Sequence, residues 1–415
     1  MTAGTGALER RRAANAAADL AAATVGDQPT RPAAWVRGMA HRDAAWARRA
    51  FGGLGIAAIA LLAVGFVGKG SSAVTATVFP LVTLVALAAA TVALGRYVRI
   101  SSGAYRRIAL VSAVLLCFLI VAGAAVRLTG SGLGCTDWPT CNGGRIVPQS
   151  GVHAWIEFGN RLVTDVCVLA ATVGALGALV RVPYRRDLPR LGGLLIVAIM
   201  GNAVLGGIVV LSGLKPQIVM GHFLLAVVAV AIGILMFHRS GESTGGPLSG
   251  ADRVPVLTSR GVLIARALTI SALVTITLGT VVTGSGPHGG DPREVDRFSY
   301  SMRDMARLHS GAAWITVALV LALAWVASRT PGPFGARLRT RLTVLLVVLV
   351  AQGTVGYVQW FNRVPVGLVQ IHVLGAVLMW ASVLWARAAV TVPAAEGSSV
   401  PRASASVRMS AQPQA

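Results

Sequence analysis

Long runs of apolar residues, separated by short polar segments, dominate the chain from residue 51 to residue 386. Each run is roughly 20 residues long, which is the length of an α-helix that crosses the hydrocarbon core of a bilayer. Ten runs occur, at 51–68, 73–95, 107–127, 154–180, 191–211, 217–237, 262–283, 308–328, 342–360 and 366–386. The pattern predicts an all-α polytopic membrane protein.

The positive charge of the chain fits this membrane interpretation better than it fits a nucleic-acid-binding protein. Of the 415 residues, 55% are hydrophobic and 13% charged, while the formal net charge is +22. The basic residues are divided among the loops and do not form a binding stripe. With a cytoplasmic N-terminus, 27 Lys and Arg residues fall in inner segments and nine in outer segments. This bias follows the positive-inside rule and predicts that both termini are cytoplasmic.

Two stretches of the chain repeat within the last eight apolar runs. VRLTGSGLG at 126–134 matches VVTGSGPHG at 281–289, and both follow an outward-going helix. The segment 206–226 parallels 355–376, since each combines a helix end, a short outer hairpin and a helix with one histidine. The eight helices after residue 105 are therefore predicted to be two repeated four-helix bundles, with two extra transmembrane helices before them.

The chain is accordingly divided into five predicted segments. These are a basic cytoplasmic tail (1–50), the two extra helices (51–104), an N-terminal four-helix bundle (105–240), a C-terminal four-helix bundle (241–390) and a disordered cytoplasmic tail (391–415). The last tail is rich in Ser, Ala and Pro, a composition typical of disordered segments.

Three histidines are predicted to lie at one depth in the membrane. His222 and His372 are 150 residues apart at equivalent positions of the repeat, and His309 opens the apolar part of its helix. At 1.5 Å per residue, His222 and His372 lie on the order of 10 Å below the outer surface. A single buried histidine is typical of an interhelical hydrogen bond. Histidines on facing helices at a shared depth instead favour axial ligation of a haem iron.

The helix that enters the first bundle carries four polar residues, Glu157, Asn160, Arg161 and Asp165. Glu157, Arg161 and Asp165 are spaced four residues apart, so a structural ladder of ion pairs is one interpretation. Proton transfer by Glu157 beside a haem site is the other. In the preceding outer loop, Cys135 and Cys141 flank a short polar segment, and a disulfide on this oxidising side would be either redox-active or a structural staple.

In combination, these motifs resemble the haem A synthase family in its actinobacterial form. The resemblance is carried by TGSGLGC, TDWP and the second cysteine within 129–141, IEFGNR at 156–161, TGSGPHGGD at 283–291 and the three histidines. It covers roughly residues 105–390. It implies an enzyme that oxidises a methyl group of haem O to the formyl group of haem A during terminal oxidase biogenesis.

The resemblance also implies roles for individual residues. His309 and His372 correspond to the ligands of a haem b cofactor in the C-terminal half, and His222 to a histidine that holds the substrate haem in the N-terminal half. Asn160 and Arg161 fall in the motif that contacts the substrate haem. Glu157 corresponds to the glutamate near the oxidised methyl group. The loop cysteines, Cys135 and Cys141, correspond to a pair that relays electrons or holds the substrate transiently.

Asn160 is a departure from the family motif Glu-x-x-His-Arg, because it replaces the histidine. An asparagine is not an ordinary iron ligand. Either His222 alone holds the substrate haem, which leaves an open coordination position, or His153 substitutes from two turns away. The sequence leaves both alternatives open.

The resemblance and the topology together predict a multi-pass protein of a bacterial cytoplasmic membrane. The expected partners are haem O, the haem O synthase and membrane lipid, with no nucleic acid; the electron donor, quinol or another reductant, and a homo-oligomeric state stay open. Two alternatives from other classes are a repeat-built transporter and a membrane cytochrome b that carries electrons. Polar residues near the outer face and the absence of a Gly/Pro break at any helix centre disfavour the transporter.

The predicted topology can be tested by labelling single cysteines introduced at Gly70 and Asp187, with the parent chain as control. A membrane-impermeant reagent added outside intact cells should label position 70, which lies in an outer segment, and spare position 187. Labelling of position 187 alone would invert the topology.

Overall fold

A computed structural model describes residues 99–393 of the chain, except 146, 184, 186, 243–252 and 294. The predicted basic tail, the two extra helices and the C-terminal tail after residue 393 lie outside the described residues.

Eight long helices make up nearly all of the described chain. They are α1 (Ser102–Leu128), α2 (Val152–Val180), α3 (Asp187–Leu211), α4 (Pro216–Ser240), α5 (Ser259–Ser285), α6 (Met302–Ser328), α7 (Gly332–Phe361) and α8 (Val366–Ala388). Each is long and apolar enough to cross a bilayer, with a mean hydropathy between 1.8 and 2.8 over its best window. Their outer surfaces expose large apolar side chains such as Val197 and Phe361, which suits contact with lipid. The described region is thus a multi-pass membrane protein.

Several helices begin earlier than the apolar runs predict. α7 begins at Gly332, ten residues before the predicted start, and its first turns carry Arg337, Arg339 and Arg341. Hydropathy locates only the hydrocarbon-spanning part of a helix, whereas arginine-bearing turns continue into the interface because their long side chains reach the polar layer. Polar caps mark other starts: the Ser101 side chain accepts a hydrogen bond from the Ala104 amide of α1.

The helices form two four-helix bundles, as the repeat predicts. Within α1–α4, and again within α5–α8, each helix contacts the next and the last contacts the first. The buried positions share one register: Leu188, Leu191, Leu195 and Ile199 of α3 are each matched by a buried residue of α7 that lies 150 positions later. The same separation relates Val227, Ala229, Val230, Gly233 and Met236 of α4 to buried residues of α8.

The two bundles meet along α1 and α4 of the first and α5 and α8 of the second. The indole Nε1 of the buried Trp380 donates to the carbonyl oxygen of Val227 at 3.1 Å, and the Gln370 amide donates to the carbonyl oxygen of Val121 at 2.8 Å. These bonds join α8 to α4 and to α1. Because water does not compete inside the bilayer, such interhelical bonds add directional contacts to an otherwise apolar interface.

On the side of the arginine-rich helix ends, two short strand pairs connect distant parts of the chain. β1 (Ile100–Ser101) pairs in parallel with β2 (Arg181–Val182), and β3 (Arg253–Pro255) pairs antiparallel with β4 (Thr391–Pro393). The Arg253 guanidinium bonds to Glu242 at 2.6 Å and to the carbonyl oxygen of Thr391 at 2.7 Å. This arginine therefore holds the connection between the bundles against the end of α8.

Close packing of α2 against α3 depends on a glycine in α3. A Cβ atom added at Gly192 would lie 2.7 Å from the Cα atom of Ala175, whereas one added at Gly193 would meet nothing within 4 Å. Small residues at such positions let helix backbones approach closely in membranes.

Gly192→Ala should therefore lower the thermal unfolding midpoint of the detergent-solubilised protein, because the two helices must separate to admit the methyl group. Gly193→Ala is the matched control, and we expect it to leave the midpoint unchanged or to raise it slightly, since alanine favours a helix by up to about 1 kcal/mol over glycine. Equal midpoints for the two variants would contradict the close contact.

Candidate functional site

Each of the three predicted haem-side histidines rests against a glycine of the preceding helix. A Cβ atom added at Gly206 would lie 3.0 Å from Cε1 of His222, one at Gly279 would lie 3.1 Å from Cε1 of His309, and one at Gly356 would lie 3.2 Å from Cε1 of His372. Any larger residue would press on the imidazole ring. Gly206 and Gly356 are 150 residues apart, so the repeat includes the glycines as well as the histidines.

Backbone carbonyl groups fix the orientation of two of these rings. Nδ1 of His222 lies 3.1 Å from the carbonyl oxygen of Asn202, and Nδ1 of His309 lies 2.9 Å from that of Thr275. A carbonyl oxygen only accepts hydrogen bonds, so Nδ1 carries the hydrogen in both rings. Nε2 is left as the nitrogen that can bind a metal, which is the arrangement typical of metal-binding histidines.

In the second bundle, His309 and His372 face each other across the diagonal pair α6 and α8. Their ring centroids are 6.2 Å apart, with an angle of 74° between the ring planes. Two imidazoles that share one metal would have centroids roughly 6 Å apart, since a metal–nitrogen bond is about 2 Å and the nitrogen lies about 1 Å from the ring centre. The pair therefore fits one iron atom held between two imidazoles.

Gln352 of α7 supports the second of these histidines. Its side-chain amide donates to the carbonyl oxygen of His372 at 2.7 Å. Its side chain occupies the space beside Gly375, where a Cβ atom would come far inside contact distance. Gln352 and Gly375 therefore fix the backbone of α8 next to the imidazole, a contact that the sequence analysis did not identify.

In the first bundle, Glu157 lies beneath the loop between α1 and α2 and is only 5% exposed. One of its carboxylate oxygens accepts a hydrogen bond from the Cys135 amide at 2.6 Å, and the other pairs with Arg161 at 2.7 Å. Of the predicted ion-pair ladder, only this step forms among the described residues, since Asp165 is exposed and makes no ion pair there. The carboxylate is thus bound to the loop and to Arg161.

Arg161 fastens the same loop from below. Its guanidinium donates to the carbonyl oxygens of Asp137, Pro139 and Thr140, at 3.1, 3.3 and 2.7 Å. Cys135 and Cys141 form a disulfide within this loop, with an S–S distance of 2.01 Å, and both are fully buried. We refer to residues 135–141 as the disulfide loop.

The disulfide loop also covers α3 through its tryptophan. A Cβ atom added at Gly207 would clash with the ring of Trp138, so the indole lies flat against the helix backbone at this glycine. Gly206, the preceding residue, borders the His222 ring. The loop therefore closes the outer end of the first bundle directly above the His222 region. The adjacent glycines Gly206 and Gly207, one beside the His222 ring and one beside the Trp138 ring, are the sequence signal that could have indicated the contact between loop and helix.

His153 does not join the other histidines. Its Nδ1 lies 2.9 Å from the hydroxyl of Ser131, which in turn lies 2.9 Å from the hydroxyl of Thr129. Both partners belong to the first TGSG motif, so His153 holds the outer loop to the start of α2.

The outer loops of the two bundles are bound to each other. The Gly132 amide donates to the carbonyl oxygen of Gly290 at 2.7 Å, and Nε of Arg127 donates to that of His288 at 2.9 Å. His288 in turn contacts the carbonyl oxygen of Val364 through Nε2 at 2.8 Å, so its loop is bound to the end of α1 and to the turn between α7 and α8. Near this junction, hydrogen bonds from Arg293 hold the pKa of the Asp291 carboxyl below its usual value.

Comparison with known proteins gives matches over the same region. A family model described as cytochrome oxidase assembly protein, COX15-CtaA, matches residues 106–384. The chain is 31% identical over 129 residues to a heme A synthase of Lysinibacillus sphaericus, a stretch that covers 31% of this chain and 42% of that protein. It is 27% identical over 134 residues to a heme A synthase of Bacillus licheniformis, covering 32% and 44% of the two chains.

A third similar protein, a heme A synthase of Bacillus pumilus, is 27% identical over 147 residues, which cover 34% of this chain and 48% of that one. The chain therefore spans less than half the length of these curated relatives in each match.

Proposed function

This chain belongs to the COX15-CtaA family of cytochrome oxidase assembly proteins, and we propose that it is a haem A synthase, which oxidises a methyl group of haem O to the formyl group of haem A. The names of its similar proteins support this activity. The observation that carries the proposal is the 6.2 Å pairing of His309 with His372 in one bundle, together with a single oriented imidazole, His222, at the equivalent place in the other.

The C-terminal bundle, 241–390, is proposed to hold haem b. His309 and His372 fit a group with one metal between two imidazoles, and each ring packs against a glycine of the preceding helix. When bound, haem b supplies one-electron transfer. The protein's contribution is to orient the His309 ring through the Thr275 carbonyl group and to fix the α8 backbone at His372 through Gln352.

The N-terminal bundle, 105–240, is proposed to hold the substrate haem, with His222 as its ligand and with Asn160 and Arg161 beside it. Arg161 acts there through the disulfide loop, since its donors are used by loop carbonyl oxygens and by Glu157. Each hydroxylation of the methyl carbon by molecular oxygen takes two electrons from the donor and two protons, and it releases one water molecule. We assign Glu157 as the group that transfers protons for this reaction, because it is the carboxylate buried at this end of the bundle.

The Cys135–Cys141 disulfide is proposed to act in the same reaction, by relaying electrons or by holding the substrate transiently; a structural staple is the alternative. The direct bond from the Cys135 amide to Glu157 supports a link between loop and carboxylate. Any movement of the loop that follows a change in the disulfide would move this donor.

We further propose that the protein resides in a bacterial cytoplasmic membrane with both termini inside. It would receive haem O from the haem O synthase and electrons from a donor such as a quinol. A membrane cytochrome b is the second candidate. The paired imidazoles of His309 and His372 support it, because such a protein needs only a haem with two histidine ligands. A transporter is disfavoured because the polar residues lie near the outer face of the bundles, beneath outer loops that are hydrogen-bonded to each other.

Expression of the gene in cells that make haem O but no haem A tests the activity. Extracted pigments, separated by chromatography, should contain haem A only with the intact gene. A non-catalytic cytochrome or a transporter would leave haem O as the only such pigment, and this result would overturn the proposed function.

His309→Ala or His372→Ala should abolish the low-spin haem b signal of the purified protein, because the iron loses one of two axial imidazoles. Optical and electron paramagnetic resonance spectra measure this loss. His288→Ala is a suitable control, since His288 bonds to a loop carbonyl group and should not change the signal. A normal low-spin spectrum in both single variants would refute the ligand assignment.

Glu157→Gln should retain haem b while slowing conversion of haem O by roughly 100-fold, the usual scale of general acid–base catalysis. Haem O or the partly oxidised alcohol should accumulate on the protein, measured by extraction of the purified variant.

Because Glu157 also anchors the disulfide loop, a second variant must separate anchoring from proton transfer. Arg161→Lys removes the bonds to the loop carbonyl oxygens but keeps a cation beside the carboxylate. The rate at which a reductant opens the disulfide reports loop release in both variants. If Arg161→Lys loosens the loop as much as Glu157→Gln and slows conversion equally, Glu157 is an anchor of the loop and not a proton-transfer group.

A further inference from the structure

The register of buried positions identifies the residue that stands where the first bundle lacks a histidine. Cys167, Ala171, Gly174 and Ala178 of α2 match buried residues of α6 that lie 149 positions later. The same separation pairs Asn160 with His309. Within the first bundle, Asn160 is thus the counterpart of an axial ligand, and His222 is the counterpart of His372.

The space for an imidazole at this position is retained. Ala109, Leu116 and Ile120 of α1 match buried residues of α5 that lie 156 positions later, and this register pairs Gly123 with Gly279, the glycine beside His309. A Cβ atom added at Gly123 would meet no atom of the described chain within 4 Å. The glycine is present, but no ring of the described chain rests on it.

Asn160 itself carries a buried polar atom that lacks a partner. Its side-chain Oδ1 is inaccessible and forms no hydrogen bond with the described residues. A buried amide oxygen without a partner costs free energy, and such an atom in a native protein usually bonds to a ligand or to water. An amide is not an ordinary iron ligand, but it can bond to a polar molecule placed between it and an iron.

The position of His153 disfavours it as the alternative ligand. Its Nδ1 is bonded to the Ser131 hydroxyl, which holds the ring at the outer loop. It lies seven residues before Asn160, which corresponds to roughly 10 Å along the helix.

We propose that the substrate haem is held by His222 alone, and that Asn160 presents its amide to the opposite, open face as the hydrogen-bonding group for a small polar molecule. This inference rests on the proposed function, because it presumes a haem in the first bundle. It makes Asn160 a positioning residue for the molecule that reaches the open face. Where the second bundle holds its iron from both sides, the first leaves one side accessible.

The test uses the full chain, purified with both haems bound, and ligand titration with cyanide and carbon monoxide. The parent protein should show one high-spin haem beside low-spin haem b, and the high-spin haem alone should bind either probe. Asn160→His should convert this haem to a low-spin form and abolish binding of both probes, because an imidazole then fills the open side. The haem b signal is the internal control for folding.

Asn160→Ala should keep the high-spin haem but weaken cyanide binding about three- to tenfold, the loss expected for one hydrogen bond. His153→Ala should leave both spectra and both affinities as in the parent. A parent protein with two low-spin haems, or a high-spin haem that appears only in His153→Ala, would overturn the inference. These readouts do not depend on haem A formation, so failure of the proposed activity would be seen separately in the extracted pigments.

Discussion

The contact between an imidazole edge and a glycine of the preceding helix is the constraint on which both bundles depend. It occurs at His222, His309 and His372. In each case Cε1 of the ring lies so close to the glycine that an added Cβ atom would be 3.0 to 3.2 Å from it. The glycine brings two helices together, and the backbone carbonyl group one turn earlier receives Nδ1 in the two rings that are bonded in this way. Helix packing and imidazole orientation are therefore set by the same residues, so a substitution at one of these glycines would disturb both.

The repeat gives two bundles with one architecture but different chemistry. In the second bundle, two imidazoles face each other at the separation of a shared metal, and Gln352 fixes the helix beside one of them. In the first, Asn160 occupies the place of the second imidazole and the disulfide loop covers the outer end. A haem with a protein ligand on both faces suits electron transfer, whereas a haem with a protein ligand on one face suits a reaction at the other face. The difference between the halves supports the division into cofactor and substrate sites.

The disulfide loop binds the polar face of α2. Glu157 and Arg161 do not form an isolated surface ion pair, because both use their remaining hydrogen-bonding groups on the backbone of residues 135–141. Trp138 completes the closure by packing on Gly207. A buried carboxylate, its cation and a disulfide thus form one unit, and their effects on activity cannot be separated without a measure of loop release.

The sequence by itself determined the membrane class, the eight helices of the described region and their twofold repeat, because hydropathy and motif spacing are local properties. It also identified the three histidines and both loop cysteines, since few ionisable or sulfur-bearing residues lie near the apolar runs. Only the tertiary structure decided which groups these residues contact. That His153 bonds to Ser131, and that Arg161 bonds to loop carbonyl groups, depends on how the loops fold back over the helices, which no periodicity encodes. The start of α7 also differed from the predicted one, because hydropathy marks the hydrocarbon boundary and not the first hydrogen-bonded turn of the helix.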